Sequence, residues 1–154
     1  MTDLVMRTAT KDDLPAIVEM LFDDDLGRMR EIVSDPVDPA YVAGFDAIEA
    51  DPNQHLVVAE LGGRIVGTMQ LSYIPSVQFR GGWRQQVEAV RIASDIRGQG
   101  LGQRMMQWAI DQARQRGCKI VQLSSQNDRK DAHRFYERLG FDKDHVQMKL
   151  YVKG

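Results

Sequence analysis

The chain has 154 residues and a formal net charge of −2, from 20 basic and 22 acidic side chains. This length suits one domain with a single buried core, and the charge balance gives no basic surface for nucleic acid. The single cysteine, Cys118, excludes an internal disulfide, and no apolar run approaches the roughly 20 residues of a membrane span. Without an apolar signal-peptide core at the N-terminus, we expect a cytoplasmic protein.

Apolar periodicity and capping residues divide the chain into elements in the order β-α-α-β-β-β-α-β-α-β. Thr10 and Asp13 form a capping pattern ahead of the first helix, which we expect to start near Lys11. Further helices are predicted over 41–50, from Gly100 to Gly117 and over 130–139. Strands are predicted over 4–9, 54–60, 65–73, 83–92, 119–125 and 146–152. This order predicts an α/β (α+β) fold, with a mixed, mostly antiparallel sheet flanked by about four helices, in a single domain spanning 1–154.

The run from Val90 to Gln103 is the most informative part of the chain. A β-branched stretch ends there, an arginine and three glycines follow, and an amphipathic helix begins. Gly98, Gly100 and Gly102 carry no Cβ, so the backbone can approach a ligand closely. Amide groups at a helix start lack intrahelical partners and attract anions. The turn therefore predicts phosphate binding, with a glycine-rich turn that holds no ligand as the alternative.

Two well-known phosphate loops are excluded by counting. The dinucleotide fingerprint requires a glycine where the chain has Gln103. The nucleotide-triphosphate loop requires Gly-Lys-Ser or Gly-Lys-Thr at 103–105, where the chain has Gln-Arg-Met.

What remains, Arg97-x-x-Gly100-x-Gly102 after a strand, resembles the pyrophosphate signature of the GCN5-related N-acetyltransferase (GNAT) family. The run 131–141 contains an alanine, an aromatic–tyrosine pair and a closing Gly-Phe, and is similar to the family's second signature. Residues 6–17 are similar to its first strand and helix, so the resemblance covers nearly the whole chain. It implies the GNAT acyl-CoA N-acyltransferase fold and an enzyme that moves an acetyl group from acetyl-CoA, its cosubstrate, to a primary amine without a metal.

The resemblance also implies where acetyl-CoA binds. Backbone amides of the glycine turn would hold the pyrophosphate and the preceding strand would hold the pantetheine arm, which implicates Val90, Arg91, Ile92, Arg97, Gly98, Gln99, Gly100, Leu101, Gly102 and Gln103. A backbone N–H near Val90 would stabilise the oxyanion of the thioester. Seven residues before the tyrosine, relatives often have an asparagine that contacts pantetheine. This chain has Arg129 there, so Arg129 or the nearby Asn127 is expected to take that role. His133 is expected either to touch the cofactor or to be an ordinary surface residue of its helix.

Two side chains are candidates for proton transfer. A phenol, with an unperturbed pKa near ~10, is protonated at neutral pH, so Tyr136 could give its proton to the departing thiolate. The alternative is a tyrosine that only packs. Glu88 is the candidate base, because it is an acid in an apolar strand and alternation would place it on the same face as Val90. Its alternative is a surface glutamate or an ion pair.

The acceptor is the least determined part of the prediction. Asp23–Asp25 lies where the family shapes its acceptor site, and could attract a cationic amine or simply be a solvated charge run. Trp83 and the run 79–82 could line the acceptor mouth or form an exposed loop. We expect a small-molecule amine as acceptor. A non-catalytic acyl-CoA-binding sensor or scaffold and a protein or peptide N-acetyltransferase are the alternatives. No nucleic acid or membrane partner is expected, and a homodimer would follow if the last strand paired with a second copy at an open sheet edge.

Overall fold

The computed structural model describes residues 3–153, which form two compact units divided after Gln122. The strands are β1 (Leu4–Thr8), β2 (Gln54–Leu61), β3 (Arg64–Ile74), β4 (Arg84–Ile92) and β5 (Ile120–Leu123). The helices are α1 (Leu14–Phe22), α2 (Asp25–Arg30), α3 (Pro39–Ala50), the single turn α4 (Gln78–Gly81), α5 (Leu101–Gln115) and α6 (Lys130–Arg138). None of these helices is both long enough and apolar enough to cross a membrane.

The strands form one mixed sheet in the order β1-β2-β3-β4-β5. Neighbouring strands from β1 to β4 are antiparallel, and β5 follows β4 through the crossover helix α5. Strands β2 and β3 are joined by the predicted tight turn, in which Gly62 and Gly63 have positive φ. The predicted architecture of a mixed, mostly antiparallel sheet with flanking helices is confirmed.

Helices pack on both faces of the sheet in the first unit. On one face lies α5, whose Met105, Met106 and Ala109 are fully buried. A Cβ at Gly67 of β3 would lie only 2.6 Å from Met105 Sδ, so glycine is needed for this close approach. On the other face, Ile17 of α1 belongs to a buried cluster that also contains Val58 of β2.

Local sequence signals gave the helix ends correctly. The Thr10–Asp13 capping box is present, although it opens a short 3-10 turn at Lys11 that leads into α1. Helix α5 starts directly after Gly100 and ends near Gly117, which has φ +74°. Helix α2 and the turn α4 were not predicted, so residues 3–153 contain six α-helices where about four helices were expected.

The predicted last strand over 146–152 is wrong. The segment after Phe141 forms no strand within the described residues, and Val146, Met148, Leu150 and Val152 are 82–91 % exposed. A strand needs a neighbour to accept and donate its backbone hydrogen bonds. No strand of residues 3–153 provides one, so the apolar alternation is present without the sheet that it predicts.

Candidate active site

The glycine turn joins β4 to α5. Gly98 and Gly100 have φ of +82° and +78°, a conformation that side chains other than glycine rarely adopt. Apart from adjoining residues and the helix backbone, no atom lies within 4 Å of the position that a Cβ would take at either glycine. The amides of 101–103 that follow lie in the first turn of α5 and precede its first backbone hydrogen bond, which the Arg104 N–H donates to the Gly100 carbonyl. Unpaired N–H groups beside open space are what a pyrophosphate requires, so these residues fit coenzyme A.

Arginines around the turn contact protein groups. Arg97 Nε donates a hydrogen bond to the Ile92 carbonyl at 3.2 Å, which holds the start of the turn against the end of β4. Arg64, in the hairpin between β2 and β3, contacts both oxygens of Asp95 at 2.7 and 2.8 Å. The contact between Arg64 and Asp95 joins residues that are far apart in the chain, and no sequence pattern indicates it. Both side chains are more than half exposed, so we expect the pair to order the turn more than to stabilise the fold.

Strand β4 contains a β-bulge just before the turn. Two of its residues, Ala89 and Val90, lie opposite the single residue Met69 of β3. Ala89 has φ +53°, which is uncommon for a residue with a side chain and stores backbone strain. A bulge interrupts the ladder and leaves backbone groups without their usual strand partner. The interruption lies at the position predicted for the oxyanion donor.

The bulge changes which side chains of β4 share a face. Glu88 lies opposite Gln70, and Arg91 lies opposite Thr68. Gln70 and Thr68 are two positions apart on β3 and therefore share a face, so Glu88 and Arg91 do as well. The prediction that Glu88 shares a face with Val90 is wrong, because it assumed regular alternation through the bulge. The Glu88 side chain is exposed, as a group that meets a substrate must be.

The face that carries the candidate base also carries uncharged polar side chains. Gln54 Oε1 accepts hydrogen bonds from Gln70 Nε2 at 2.9 Å and from Ser72 Oγ at 3.0 Å. On β4, Gln86 Oε1 accepts from Gln122 Nε2 at 2.6 Å. This polar surface was not predicted from the sequence. Its signal is the recurrence of polar residues at every second position of two adjacent strands, Thr68, Gln70 and Ser72 on β3 and Arg84, Gln86 and Glu88 on β4, where an apolar face would be usual.

The acidic run before α2 contacts cations of the same chain. Asp23 and Asp25 contact Arg28 at 3.4 and 3.2 Å. Asp24 contacts Arg91 of β4 at 3.2 Å. Each carboxylate of the run therefore faces an internal cation, which favours a structural role over the attraction of a cationic amine.

The loop that contains α4 is exposed and strained. Phe79 and Arg80 have φ of +53° and +59°, the left-handed conformation that normally requires glycine. Lys119 Nζ donates to the Phe79 carbonyl at 2.8 Å and helps to hold this conformation. Phe79 is 56 % exposed and Trp83 is 38 % exposed, so the loop presents apolar surface to solvent.

The second unit holds Tyr136 on α6. Its ring contacts Phe135 and Phe141 edge-on, with centroids 5.1 and 5.9 Å away. Gly140, with φ +104°, turns the chain after the helix, and the Phe141 N–H then donates to the Tyr136 carbonyl at 3.1 Å. These contacts hold the half-buried ring, and a phenylalanine at this position would keep all of them.

Three further residues predicted as cofactor contacts lie around the start of α6. Asn127 and Arg129 are exposed, and Arg129 directly precedes the helix. His133 Nε2 lies 2.7 Å from the Gln126 carbonyl oxygen. Within residues 3–153, His133 Nδ1 and Ser125 Oγ are buried and have no hydrogen-bond partner. Buried polar atoms normally have partners, so this pair fits a unit that receives a polar ligand.

Comparison with known proteins identifies the class. The model of the Acetyltransferase (GNAT) family matches residues 18–141. The chain therefore belongs to the GNAT family of acetyl-CoA-dependent acetyltransferases. The predicted family, fold and enzyme class are confirmed.

Individual relatives cover most of the chain. The aminoalkylphosphonate N-acetyltransferase of Salmonella typhimurium is 31% identical over 146 residues, which are 92% of this chain and 87% of that protein. The L-methionine sulfoximine/L-methionine sulfone acetyltransferase of Pseudomonas paraeruginosa is 31% identical over 140 residues, 89% of this chain and 79% of that protein. A solved structure described as a transcriptional regulator from Bacillus halodurans C-125 is 43% identical, with a TM-score of 0.93 over 97% of this chain and 99% of that chain.

Proposed function

We propose that this protein transfers an acetyl group from acetyl-CoA to the primary amine of a small-molecule acceptor, with both substrates bound together. The observation that carries the proposal is the glycine turn with two left-handed glycines, directly after a bulged strand that bears an exposed glutamate. The turn would hold the pyrophosphate through the amides of 98–103 and through Arg97. The backbone from Val90 to Ile92 would pair with the pantetheine arm.

The chemistry needs no covalent enzyme intermediate. Glu88 takes a proton from the substrate ammonium, directly or through water, and the neutral amine attacks the thioester carbonyl carbon. The Val90 N–H stabilises the oxyanion of the tetrahedral intermediate. As this intermediate collapses, the carbon–sulfur bond breaks, the attacking nitrogen loses its second proton to solvent to give the neutral amide, and Tyr136 gives a proton to the departing thiolate. Exchange with solvent then removes the proton from Glu88 and restores the one on Tyr136. His133, with Asn127 or Arg129, would contact the pantetheine arm.

Two relatives support a small acceptor. The Salmonella protein is named for aminoalkylphosphonates and the Pseudomonas protein for methionine sulfoximine and methionine sulfone, and each aligns with most of this chain. All of these compounds are small amines. The polar surface formed by Gln54, Gln70, Ser72 and Gln86 would suit a small polar substrate better than an apolar one.

The second candidate function is an acyl-CoA-binding sensor without turnover. The observation that favours it is the 43% identity to a protein described as a transcriptional regulator. Against it stand the two candidate proton-transfer groups, Glu88 and Tyr136, which a sensor would not need.

Acetyl-CoA turnover separates the two functions. The purified protein is incubated with acetyl-CoA and a panel of amines, including aminoalkylphosphonates, amino acid sulfones, amino sugars, polyamines and peptides, and released thiol is measured. Calorimetry measures acetyl-CoA binding on the same preparation. Amine-dependent thiol release supports the enzyme. Tight binding with no release above the amine-free rate, for every amine, supports the sensor.

Two further proposals concern the setting of the activity. The single cysteine, half-buried and with a pKa raised by burial, fits a reducing cytoplasm.

The exposed segment 146–152 carries a strand pattern without a strand partner, and we propose that a second copy of the chain supplies one in a homodimer. Sedimentation of the wild type and of a variant truncated after Asp144 tests this: a dimer that becomes a monomer supports it, and a wild-type monomer at micromolar concentration overturns it.

A further inference from the structure

Helix α2 is clamped at its first residues. Asp24 Oδ1 accepts a hydrogen bond from the Gly27 N–H at 2.5 Å and so caps the helix. Gly27 itself is buried, and a Cβ there would overlap the Leu21 carbonyl oxygen of α1. The start of α2 therefore has little room to move against α1.

The second oxygen of the same carboxylate connects α2 to the sheet. Asp24 Oδ2 lies 3.2 Å from Nη2 of Arg91, whose side chain is only 17% exposed. The other terminal nitrogen of this guanidinium, Nη1, donates to the Val90 carbonyl at 3.0 Å. A continuous set of contacts thus runs from the cap of α2 to the bulge of β4.

The charge state of Asp24 suits this link. Burial alone would raise the pKa of the carboxyl group, but the Gly27 N–H and the charges of Arg91 and Arg30 outweigh burial and lower it. Asp24 is therefore ionised at neutral pH. Its link to the largely buried guanidinium is a charged pair less exposed than the contact of Asp25: the Asp24 side chain is 37 % exposed, whereas that of Asp25 is fully exposed.

We propose that Asp24 and Arg91 are positioning residues that couple the α1–α2 segment to the reacting end of β4. Arg91 and Glu88 share a face of the sheet, so the start of α2 lies against the face that carries the candidate base. Arg91 also holds the peptide group adjacent to the Val90 N–H. The inference rests on the proposed function for the roles of Glu88 and Val90. An acceptor that contacts α2 would then adjust the oxyanion donor through this pair.

The two neighbouring aspartates provide a matched test. Asparagine caps helices as well as aspartate does, so Asp24→Asn keeps the cap and removes only the charge that faces Arg91. Asp25→Asn removes an equal charge from the same helix, where the carboxylate is fully exposed and contacts the surface residue Arg28. We expect Asp24→Asn to lower kcat by about tenfold, with acetyl-CoA affinity nearly unchanged, and Asp25→Asn to leave kcat at the wild-type value.

A substitution of Arg91, the partner of Asp24, provides a second test. Lysine keeps the positive charge but replaces the planar fork, whose two nitrogens contact the Val90 carbonyl and Asp24, with a single nitrogen on a flexible chain. Arg91→Lys should therefore lower kcat to a similar extent. The double variant Asp24→Asn/Arg91→Lys should be no worse than the poorer single variant, because the two residues act as one unit. Additive losses, or equal kcat in Asp24→Asn and Asp25→Asn, would overturn the proposal.

An amide spectrum makes the result independent of turnover. In proton–nitrogen correlation spectra, the amide signals of Ala89 and Val90 should shift in Asp24→Asn and remain in place in Asp25→Asn. If they shift although no amine is acetylated, the coupling stands and the proposed function fails. If they do not shift while the wild type turns over, the coupling fails and the proposed function stands. Thermal unfolding of both variants identifies any loss of fold.

Discussion

Glu88 and Arg91 lie on the same face of β4, although an odd number of positions separates them. In a regular strand they would point to opposite faces. The bulge at Ala89 and Val90 adds one residue to β4, so Glu88 and Arg91 point to the same face of the sheet. On that face Arg91 contacts Asp24 at the start of α2. Under the proposed function, the base and α2 border the surface on which the amine and the acetyl group meet.

Adding one methyl group at Gly100 should weaken acetyl-CoA binding. In Gly100→Ala the new Cβ would enter the space that the pyrophosphate needs, and φ +78° also costs alanine about 1 kcal/mol or more. We expect at least a tenfold weaker Kd for acetyl-CoA by calorimetry, on the order of 1.4 kcal/mol or more.

Gly117→Ala is the matched control for that substitution. Gly117 follows the other end of α5, has φ +74°, and likewise has no atom within 4 Å of its Cβ position. Both variants should lose similar stability, and only Gly100→Ala should lose affinity. Equal acetyl-CoA affinity in the two variants would show that the glycine turn does not bind the pyrophosphate.

Removing the Tyr136 hydroxyl should slow turnover without weakening acetyl-CoA binding. Tyr136→Phe keeps the edge-on contacts with Phe135 and Phe141, so the variant tests proton donation. General acid catalysis contributes roughly 100-fold or more, and a drop of about that size in kcat is expected. Tyr151→Phe, at an 82 % exposed position of the same unit, is the control and should keep full kcat. Full turnover in Tyr136→Phe would show that Tyr136 only packs and is not the general acid.

Elements with local signals were predictable from the sequence. Helix α1 follows a capping box, α5 lies between Gly100 and Gly117, and the hairpin turns at Gly62 and Gly63. Each signal is a property of a few consecutive residues, such as positive φ or a side chain that caps an amide. The glycine turn was found for the same reason.

Features that depend on distant partners were not predictable. The bulge occurs at Ala89, a residue with no intrinsic preference for positive φ, and follows from the pairing with β3. The contact between Asp24 and Arg91 joins a helix start to a strand from another part of the chain. The strand predicted over 146–152 is wrong for the same reason: the segment has the apolar alternation of a strand, but a pattern alone does not supply a pairing partner.

Acid should weaken the fold through Asp13. This buried carboxylate receives hydrogen bonds from Arg7 Nη1 and Nη2 at 2.7 and 2.9 Å and from the Thr10 N–H at 2.7 Å. The Arg7 hydrogen bonds are the main cause of its lowered pKa, which outweighs the effect of burial. A lowered pKa adds stability above the unfolded value near ~3.9 and loses it as pH falls through the folded value.

Asp13→Asn measures this contribution. We expect a loss of about 2 kcal/mol in the free energy of unfolding at pH 7, because charge-assisted hydrogen bonds are lost while Arg7 keeps Glu60 as a partner. The difference from wild type should shrink as pH is lowered from about 4. Asp46→Asn, which breaks an exposed contact with Lys11, should change stability by no more than about 0.5 kcal/mol. A difference between Asp13→Asn and wild type that stays constant down to pH 2 would contradict this assignment.

Replacing Glu88 by glutamine should slow acetyl transfer in a pH-dependent manner. The amide keeps the shape of the side chain but cannot take a proton from the substrate ammonium, so kcat/KM should fall about 100-fold or more at neutral pH. As pH rises, more of the amine is already neutral in solution, and the defect should shrink. Glu49→Gln, an exposed substitution on α3, should keep the wild-type profile. Because Glu88 is also exposed, its loss should leave thermal unfolding unchanged. A Glu88→Gln variant with the wild-type rate and pH profile would show that another group, or water alone, accepts the proton.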